Sequence, residues 1–377
     1  DWEALRDRYL PLVDRVHDRD ELNHLIYQLV GELEALHIRV SGGDSREAPN
    51  DVSIASLGAR LVRDEEAGGY RVALRYKTDP EYPEELSPLA RPEVDVHEGD
   101  VVVAINHMPT LSVTHPQALL RNQVGRQVLL EVKDGETGKQ RKVVVQPISM
   151  SRESSLRYSH WEFTRRQRVE DRSDSNLGYL HLRAMGGRNY TEFVRNFYPV
   201  FRRQGLIIDV RHNRGGNIDS WILGRLMRKA WFFWQPRIGQ PYWNMQYAFR
   251  GHMVVLCDEY TASDGEAFAE GFRRLGLGEV IGKRTWGGEI WLTSSNRLVD
   301  DGIATAAEFG VYGPDGIWLI EGHGVVPDIK VENLPHATFQ GQDAQLDRAI
   351  DYLLQKIKEE PVEIPPHPAY PDKTPDQ

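Results

Sequence analysis

The sequence predicts a multidomain α/β protein on three observations. Its 377 residues exceed one ordinary domain of roughly 100 to 200 residues. The texture changes twice along the chain, from helical spacing to short strands with turns, and then to strands alternating with helices. The strand Leu206-Ile207-Ile208-Asp209-Val210 is almost wholly apolar, as strands are when helices cover both faces of a sheet.

Residues 1 to about 35 read as two helices. In the second, Asp18 is a candidate N-cap with Glu21 three residues on, and Leu22, Leu25, Ile26, Leu29 and Leu33 recur at helical spacing. Ser41-Gly42-Gly43-Asp44 and then Pro49 break the pattern, which places a helical domain at 1–49. A β-rich domain follows at 50–149, with strands at Arg71–Leu74, Asp100–Ile105, Val128–Val132 and Val143–Val145. Turn chemistry at Glu98-Gly99-Asp100 and Asp134-Gly135 separates them, and one helical patch spans Pro116–Leu120. Ser151 to Ser175, with Arg165, Arg166 and Arg168, reads as a solvated connecting helix or linker, the alternative being an anion site. The α/β domain occupies 150–358, opening on the strand Gly178–Leu182 and a helix bearing Phe193, Val194, Phe197, Val200 and Phe201. Pro361, Pro365, Pro366, Pro368, Pro371 and Pro375 make 359–377 an extended or disordered arm that could strap onto a neighbouring subunit.

Composition removes several classes of function. Hydrophobic residues at 40% and charged residues at 27% describe a globular chain. The 46 Lys and Arg against 56 Asp and Glu, net −10, argue against a general nucleic-acid or anionic-membrane binder. No apolar run approaches the ~18 residues of a membrane span. The single cysteine, Cys257, lies in an apolar run and excludes an intramolecular disulfide framework or a cysteine-type zinc site. No H-E-x-x-H helix or close His and carboxylate set is spaced for metal, so neither metal nor cofactor is expected. The first residue is Asp1, consistent with a removed leader or upstream domains.

Two segments can carry chemistry. In Asp209-Val210-Arg211-His212-Asn213-Arg214-Gly215-Gly216-Asn217, paired glycines follow the buried strand and precede a helix. There main-chain N–H groups can point together at an anion or oxyanion; the alternative is a tight turn. In Thr261-Ala262-Ser263-Asp264-Gly265-Glu266, a serine opens a helix behind the strand Met253–Leu256. It is either a plain N-cap or a hydroxyl exposed at the sheet edge near helix N–H groups. The α/β-hydrolase nucleophile elbow does not fit, since Thr261 stands where that motif has its first glycine. The string Gly276 to Arg284 fails the P-loop spacing and has Arg284 after the lysine.

Together with Thr285-Trp286-Gly287-Gly288 and Glu321-Gly322-His323-Gly324-Val325-Val326-Pro327-Asp328, these segments resemble the tail-specific (carboxyl-terminal processing) serine protease family. Within it they are most similar to the C-terminal half of the tricorn type. The resemblance runs over nearly the whole chain and implies a small N-terminal helical domain, a PDZ-like β-rich domain and a ClpP/crotonase-like α/β catalytic domain. It implies a nucleophile at Ser263 and an oxyanion hole from the N–H groups of Gly216 and Asp264. A general base at His37, supplied by the helical segment Glu34-Ala35-Leu36-His37, and a supporting carboxylate at Glu321 complete the set. The family serine expected just before the histidine is replaced by Leu36, which cannot relay a hydrogen bond. Glu321 must therefore reach the imidazole directly, through water, or not at all. Gly215, Trp234, Gly287 and Gly288 are the substrate-binding candidates.

Ala230 to Cys257 contains no Asp or Glu but holds Trp231-Phe232-Phe233-Trp234, Tyr242, Trp243 and Tyr247. This argues against the preference for basic substrate side chains implied by the tricorn type, and the aromatic string reads as core, subunit interface or apolar substrate pocket. Ser56-Leu57-Gly58-Ala59 sits where PDZ-like domains place N–H groups for a chain terminus; peptide binding and scaffolding both remain open there. The expected function is a serine endopeptidase working on peptides or oligopeptides through an acyl-enzyme. A non-catalytic peptide-binding module and a crotonase-like acyl-group enzyme or lipid carrier are the competing expectations. The resemblance implies peptide or unfolded-protein substrates, missing N-terminal propeller domains and a homo-oligomer, a hexamer by family likeness. It assigns no nucleic-acid or membrane partner. The compartment expected is the cytoplasm, or the periplasm if a leader was removed.

Overall fold

The computed structural model describes residues 1–44, 52–292 and 296–369. The chain divides into two units, Asp1–Arg46 with Val169–Gln377, and Glu47–Arg168. The boundary expected at residues 49 and 50 lies outside the described residues, as do Pro371 and Pro375.

The N-terminal helices form as their sequence signals direct. Helix α1 (Trp2–Val13) is capped by Asp1, whose Oδ1 accepts the N–H groups of Glu3 and Ala4. Helix α2 (Arg19–Gly31) is capped by Asp18, whose Oδ1 accepts the Glu21 N–H at 2.9 Å. These helices belong to the same unit as the α/β core. Val40–Ser41 pairs antiparallel with Ile303–Ala304, Arg19 meets Asp300 at 2.9 Å, and the Arg39 N–H donates to Thr305 Oγ1 at 2.7 Å. That stitching carries the turn after α2, with Leu36 and His37, onto the α/β core.

The β-rich unit is an antiparallel sheet in the order Ala59–Asp64, Gly69–Arg75, Val101–Ile105, Val128–Lys133, Gln140–Val145. Val72, Val102, Ile105, Val128, Leu130 and Val132 bury its apolar face. The patch Pro116–Leu120 is a 3-10 turn. In the Ser56-Leu57-Gly58-Ala59 segment the Gly58 N–H is bonded to Ser56 Oγ at 2.9 Å, and its carbonyl accepts Ser87 Oγ–H at 2.6 Å. Helix α3 (Met150–Arg172) follows as one continuous helix. Arg166 pairs with Asp79 at 2.8 Å, and the Arg165 guanidinium lies 4.8 Å from the centre of the Trp161 ring.

Five parallel strands make the second sheet, in the order Leu177–His181, Gly205–Asp209, His252–Cys257, Gly278–Gly282, Ile329–Lys330. Helices cover both faces, which is why the strand Gly205–Asp209 is buried throughout. On one side α4 (Gly187–Val200), α5 (Asp219–Leu226) and α6 (Asp264–Arg274) pack Phe193, Phe197, Ile222, Phe268 and Phe272 against Leu206, Ile208 and Val255. Each phenylalanine so buried contributes about 2 kcal/mol. Beyond a short helix α7 (Pro335–Phe339), helix α8 (Ala344–Glu359) sets Leu346, Ile350 and Leu353 on Ile207, Val254 and Ile281 of the other face. The loops at the C-terminal ends of the strands Gly205–Asp209 and His252–Cys257 carry the glycine pair and Ser263.

Candidate active site

Main-chain hydrogen bonds lock the two loops together. The Ala262 N–H donates to the Asn213 carbonyl at 2.9 Å. Asn213 Oδ1 accepts the Gly215 N–H, while its Nδ2 donates to the Leu182 carbonyl. Thr261 Oγ1 donates to the Val210 carbonyl at 2.8 Å. The turn delivers Ser263 at the N-terminus of α6 with φ +56, a conformation that is uncommon for non-glycine residues and worth a functional question. An ordinary N-cap serine spends its hydroxyl on a helix N–H. Here the Glu266 N–H goes to the Ser263 carbonyl at 2.6 Å, and no side-chain hydrogen bond caps the helix. Ser263 Oγ is left available.

Gly215 stands directly against this serine. Gly215 has φ +76, and a Cβ there would lie 2.4 Å from Ser263 Cβ and 2.9 Å from its Oγ. Gly215→Ala is therefore expected to displace the serine and lower peptide-hydrolysis kcat at least about 100-fold, measured beside a thermal melt. Gly216 forms a parallel bridge with Met185, in which Met185 N–H donates to the Gly215 carbonyl and Asn217 N–H to the Met185 carbonyl. That pattern turns the Gly216 N–H away from Met185. Among the described residues, neither this N–H nor that of Asp264 has a partner within the chain. Asp264 also ties the two donors together, since its Oδ2 accepts the Ile218 and Asp219 N–H groups at 2.7 and 3.1 Å.

His37 is half-buried, edge-on to the Trp286 ring at 5.8 Å. Its Nδ1 lies 2.7 Å from the Ile290 carbonyl oxygen. A carbonyl only accepts, so Nδ1 carries a proton, and in the neutral ring Nε2 keeps its lone pair. Among the described residues no hydrogen bond joins Ser263 to the imidazole; such contacts commonly close only around substrate. Glu321 makes no hydrogen bond to the imidazole either. Its Oε1 accepts the Leu36 N–H at 3.3 Å, and its Oε2 accepts the Glu289 and Ile290 N–H groups at 2.6 and 3.0 Å. The carboxylate thus holds the backbone at Leu36, next to His37, and at Glu289 and Ile290, a route the sequence did not disclose.

The remaining candidates divide. The Gly287 and Gly288 N–H groups are both spent on Glu266. Trp234 lies on the hairpin Phe232–Trp234 and Tyr242–Asn244, and its ring contacts, with Phe232 and Tyr242, stay within that hairpin. Trp231 and Trp234 are 72% and 48% exposed, so they do not serve as core. Sequence reasoning passed over Glu266, although the Ser263-x-x-Glu266 spacing is the pattern of a capping box.

Acidic groups crowd the buried side of the site. Asp264 Oδ1 and Glu289 Oε2 are buried without a hydrogen-bond partner. Burial, offset in part by the Ile218 N–H, leaves the Asp264 carboxyl above its ordinary value. Burial is also the main cause at Glu289, with the charges of Glu266, Asp264 and Asp219 adding to it against the Trp291 indole hydrogen bond. Its carboxyl is pushed up to about 8. Between the ordinary 4.5 and about 8 the folded chain keeps a proton that the unfolded chain has released. Stability attributable to Glu289 is therefore lost as pH rises through that window. Glu289→Gln retains an acceptor for Trp291 and removes the titration. Its advantage in thermal stability over wild type is expected to grow from pH 5 to pH 8 by about 3 kcal/mol.

The chain matches known proteins over most of its length. Residues 176–331 match peptidase family S41, residues 55–150 the tricorn protease PDZ domain and residues 1–31 the tricorn protease C1 domain. Residues 176–331 thus belong to peptidase family S41, preceded by matches to the tricorn protease C1 and PDZ domains. The chain is 36% identical over 368 residues to tricorn protease homolog 1 of Streptomyces coelicolor, covering 97% of this chain and 34% of that one. To the tricorn protease of Thermoplasma acidophilum it is 31% identical over 371 residues, covering 97% and 34%. A crystal structure of the tricorn protease superposes with a TM-score of 0.85 at 30% identity, covering 94% of this chain and 34% of that one. The chain thus spans about a third of the length of these relatives. Among the described residues no helix is long and apolar enough to cross a membrane.

Proposed function

We propose that this chain is the catalytic portion of a serine peptidase that cleaves peptides through an acyl-enzyme. The observation that carries the reading is the pair of unpartnered N–H groups, Gly216 and Asp264, flanking a serine whose hydroxyl is not spent on its own helix. Ser263 Oγ attacks the peptide carbonyl while His37 Nε2 takes its proton. The negative charge that develops on the carbonyl oxygen is met by the two N–H groups, which need no reorganisation because Asp264 already fixes their separation. His37 then returns the proton to the departing amine, freeing the first product and leaving an ester on Ser263. Water, deprotonated by the same Nε2, hydrolyses the ester and regenerates the hydroxyl. Glu321 supports the base through the backbone at Leu36, Glu289 and Ile290.

Peptides or unfolded segments are the proposed substrates, and further copies of the chain, assembled as a hexamer, the proposed partners. The proposed compartment is the cytoplasm. The domain limits 1–49, 50–149, 150–358 and 359–377 are retained as the proposed organisation. The PDZ-like unit is proposed as scaffold, because the Gly58 N–H and carbonyl are already bonded internally.

The test is covalent capture. A peptidyl or fluoro-phosphonate should stop peptide hydrolysis and leave one adduct, located by mass spectrometry on Ser263. Continued hydrolysis without that adduct, or labelling at another residue, refutes the assignment.

A further inference from the structure

We infer that Glu266 is a positioning residue for the proposed hydrolysis, registering the nucleophile's turn against the segment that orients the base. The inference rests on the peptidase reading above and deepens it. Glu266 is fully buried, yet its carboxylate collects four donors from two separate parts of the chain. Oε2 accepts the Ser263 N–H at 3.0 Å and the Gly288 N–H at 3.0 Å. Oε1 accepts the Gly287 N–H at 2.7 Å and Thr285 Oγ1–H at 2.5 Å. Four charge-assisted hydrogen bonds leave the side chain no unsatisfied acceptor and little freedom to move.

Placement makes this more than a structural anchor. One end of the carboxylate holds the backbone of Ser263 in its left-handed conformation. Oε1 holds Gly287, and the oxygen on Ser263, Oε2, also holds Gly288. Two residues further on, Ile290 offers the carbonyl that accepts the His37 Nδ1 proton, and Trp286 packs its ring edge-on to the imidazole. Glu321 clamps the next two peptides, Glu289 and Ile290, from the other side. Two carboxylates therefore grip four consecutive N–H groups, 287 to 290, and Glu266 joins that grip to the Ser263 backbone, beside the Trp286 N–H that donates to the Thr261 carbonyl at 3.0 Å. The distance from Ser263 Oγ to His37 Nε2 is set through this bridge.

Glu266→Gln keeps the shape and replaces one acceptor oxygen by an amide donor. Whichever way the amide lies, it faces N–H or O–H groups that need an acceptor. The measurement is steady-state hydrolysis of a peptide substrate, normalised to folded enzyme by phosphonate titration of Ser263. The expected result is a fall in kcat of about 100-fold, the loss typical of a displacement near 1 Å, with KM within about threefold. The rate of phosphonate inactivation should fall in parallel. The downfield proton resonance of His37 Nδ1–H should shift, whereas a surface variant such as Lys142→Gln leaves it in place.

If Glu266→Gln does not fold, Glu266→Asp, which keeps the charge and loses reach, carries the same comparison. A kcat within threefold of wild type per titrated site overturns the inference, as does an activity loss wholly accounted for by fewer folded molecules. Failure of both variants to fold overturns it in favour of a purely structural carboxylate. A wild-type protein that neither hydrolyses peptides nor labels at Ser263 instead refutes the underlying peptidase reading.

Discussion

Ser263→Ala is expected to lower kcat/KM for peptide hydrolysis by about 10⁴- to 10⁶-fold, the loss seen when a hydrolase loses its nucleophile. Without Oγ no acyl-enzyme forms, and only direct attack by water remains. The proposed oxyanion donors are main-chain N–H groups of Gly216 and Asp264, which the substitution leaves intact, so a small residual rate and nearly unchanged substrate binding should persist. Thermal stability should change little, because the Ser263 side chain makes no helix-capping hydrogen bond, and the Ser263 N–H to Glu266 contact is retained by alanine. Steady-state kinetics beside calorimetry separate the two effects. A variant that keeps more than a few per cent of wild-type kcat/KM overturns Ser263 as nucleophile.

The second large effect concerns stability. Arg211 is 2% exposed and sits between two buried carboxylates, Asp209 and Asp343. Its Nε and Nη2 donate to Asp209 at 3.0 and 2.6 Å, while Nη1 donates to Asp343 at 2.8 Å and to Gln345 at 3.2 Å. Burial raises the Asp209 carboxyl, and the adjoining guanidinium more than offsets it, holding Asp209 below its ordinary value. Arg211→Leu takes this guanidinium away from both buried carboxylates, and the expected cost is about 3 to 5 kcal/mol, read from thermal or urea unfolding at pH 7. Stability contributed by Asp209 is present above its ordinary 3.8 and is lost as pH falls through its lowered folded value. The penalty of Arg211→Leu should therefore shrink in acid, where protonation removes the uncompensated charge. Replacing Arg211, Asp209 and Asp343 together by apolar residues should be less destabilising than Arg211→Leu alone. Because Arg211 lies in the turn between the strand Gly205–Asp209 and the glycine pair, its loss should also reduce activity.

Local patterns made much of this protein legible. Asp18 and Glu21 announced α2, and the run Leu206 to Val210 announced a sheet covered on both sides; each rests on the chemistry of a few neighbouring residues. The glycine pair and Ser263 stood out at strand-to-helix turns, while the roles proposed for Ser263, Gly216 and Asp264 came from the resemblance to tail-specific serine proteases. Glu266 was visible too, three residues beyond the serine, but its capping spacing did not disclose that Thr285, Gly287 and Gly288 would share the carboxylate.

The orientation of His37 came only from the tertiary structure. The group that fixes its tautomer is the Ile290 carbonyl, and a main-chain oxygen has no residue identity by which a sequence could mark it. Glu321 reaches the Leu36 N–H from 285 positions away, and Arg211 meets Asp343 across 132. Residues by themselves determined which elements form and which side chains can do acid, base or nucleophilic work, because propensity, capping and hydroxyl chemistry act over a few bonds. Folding alone decided which of those groups meet, because an N–H or carbonyl becomes a functional partner only where distant segments are brought within hydrogen-bond distance.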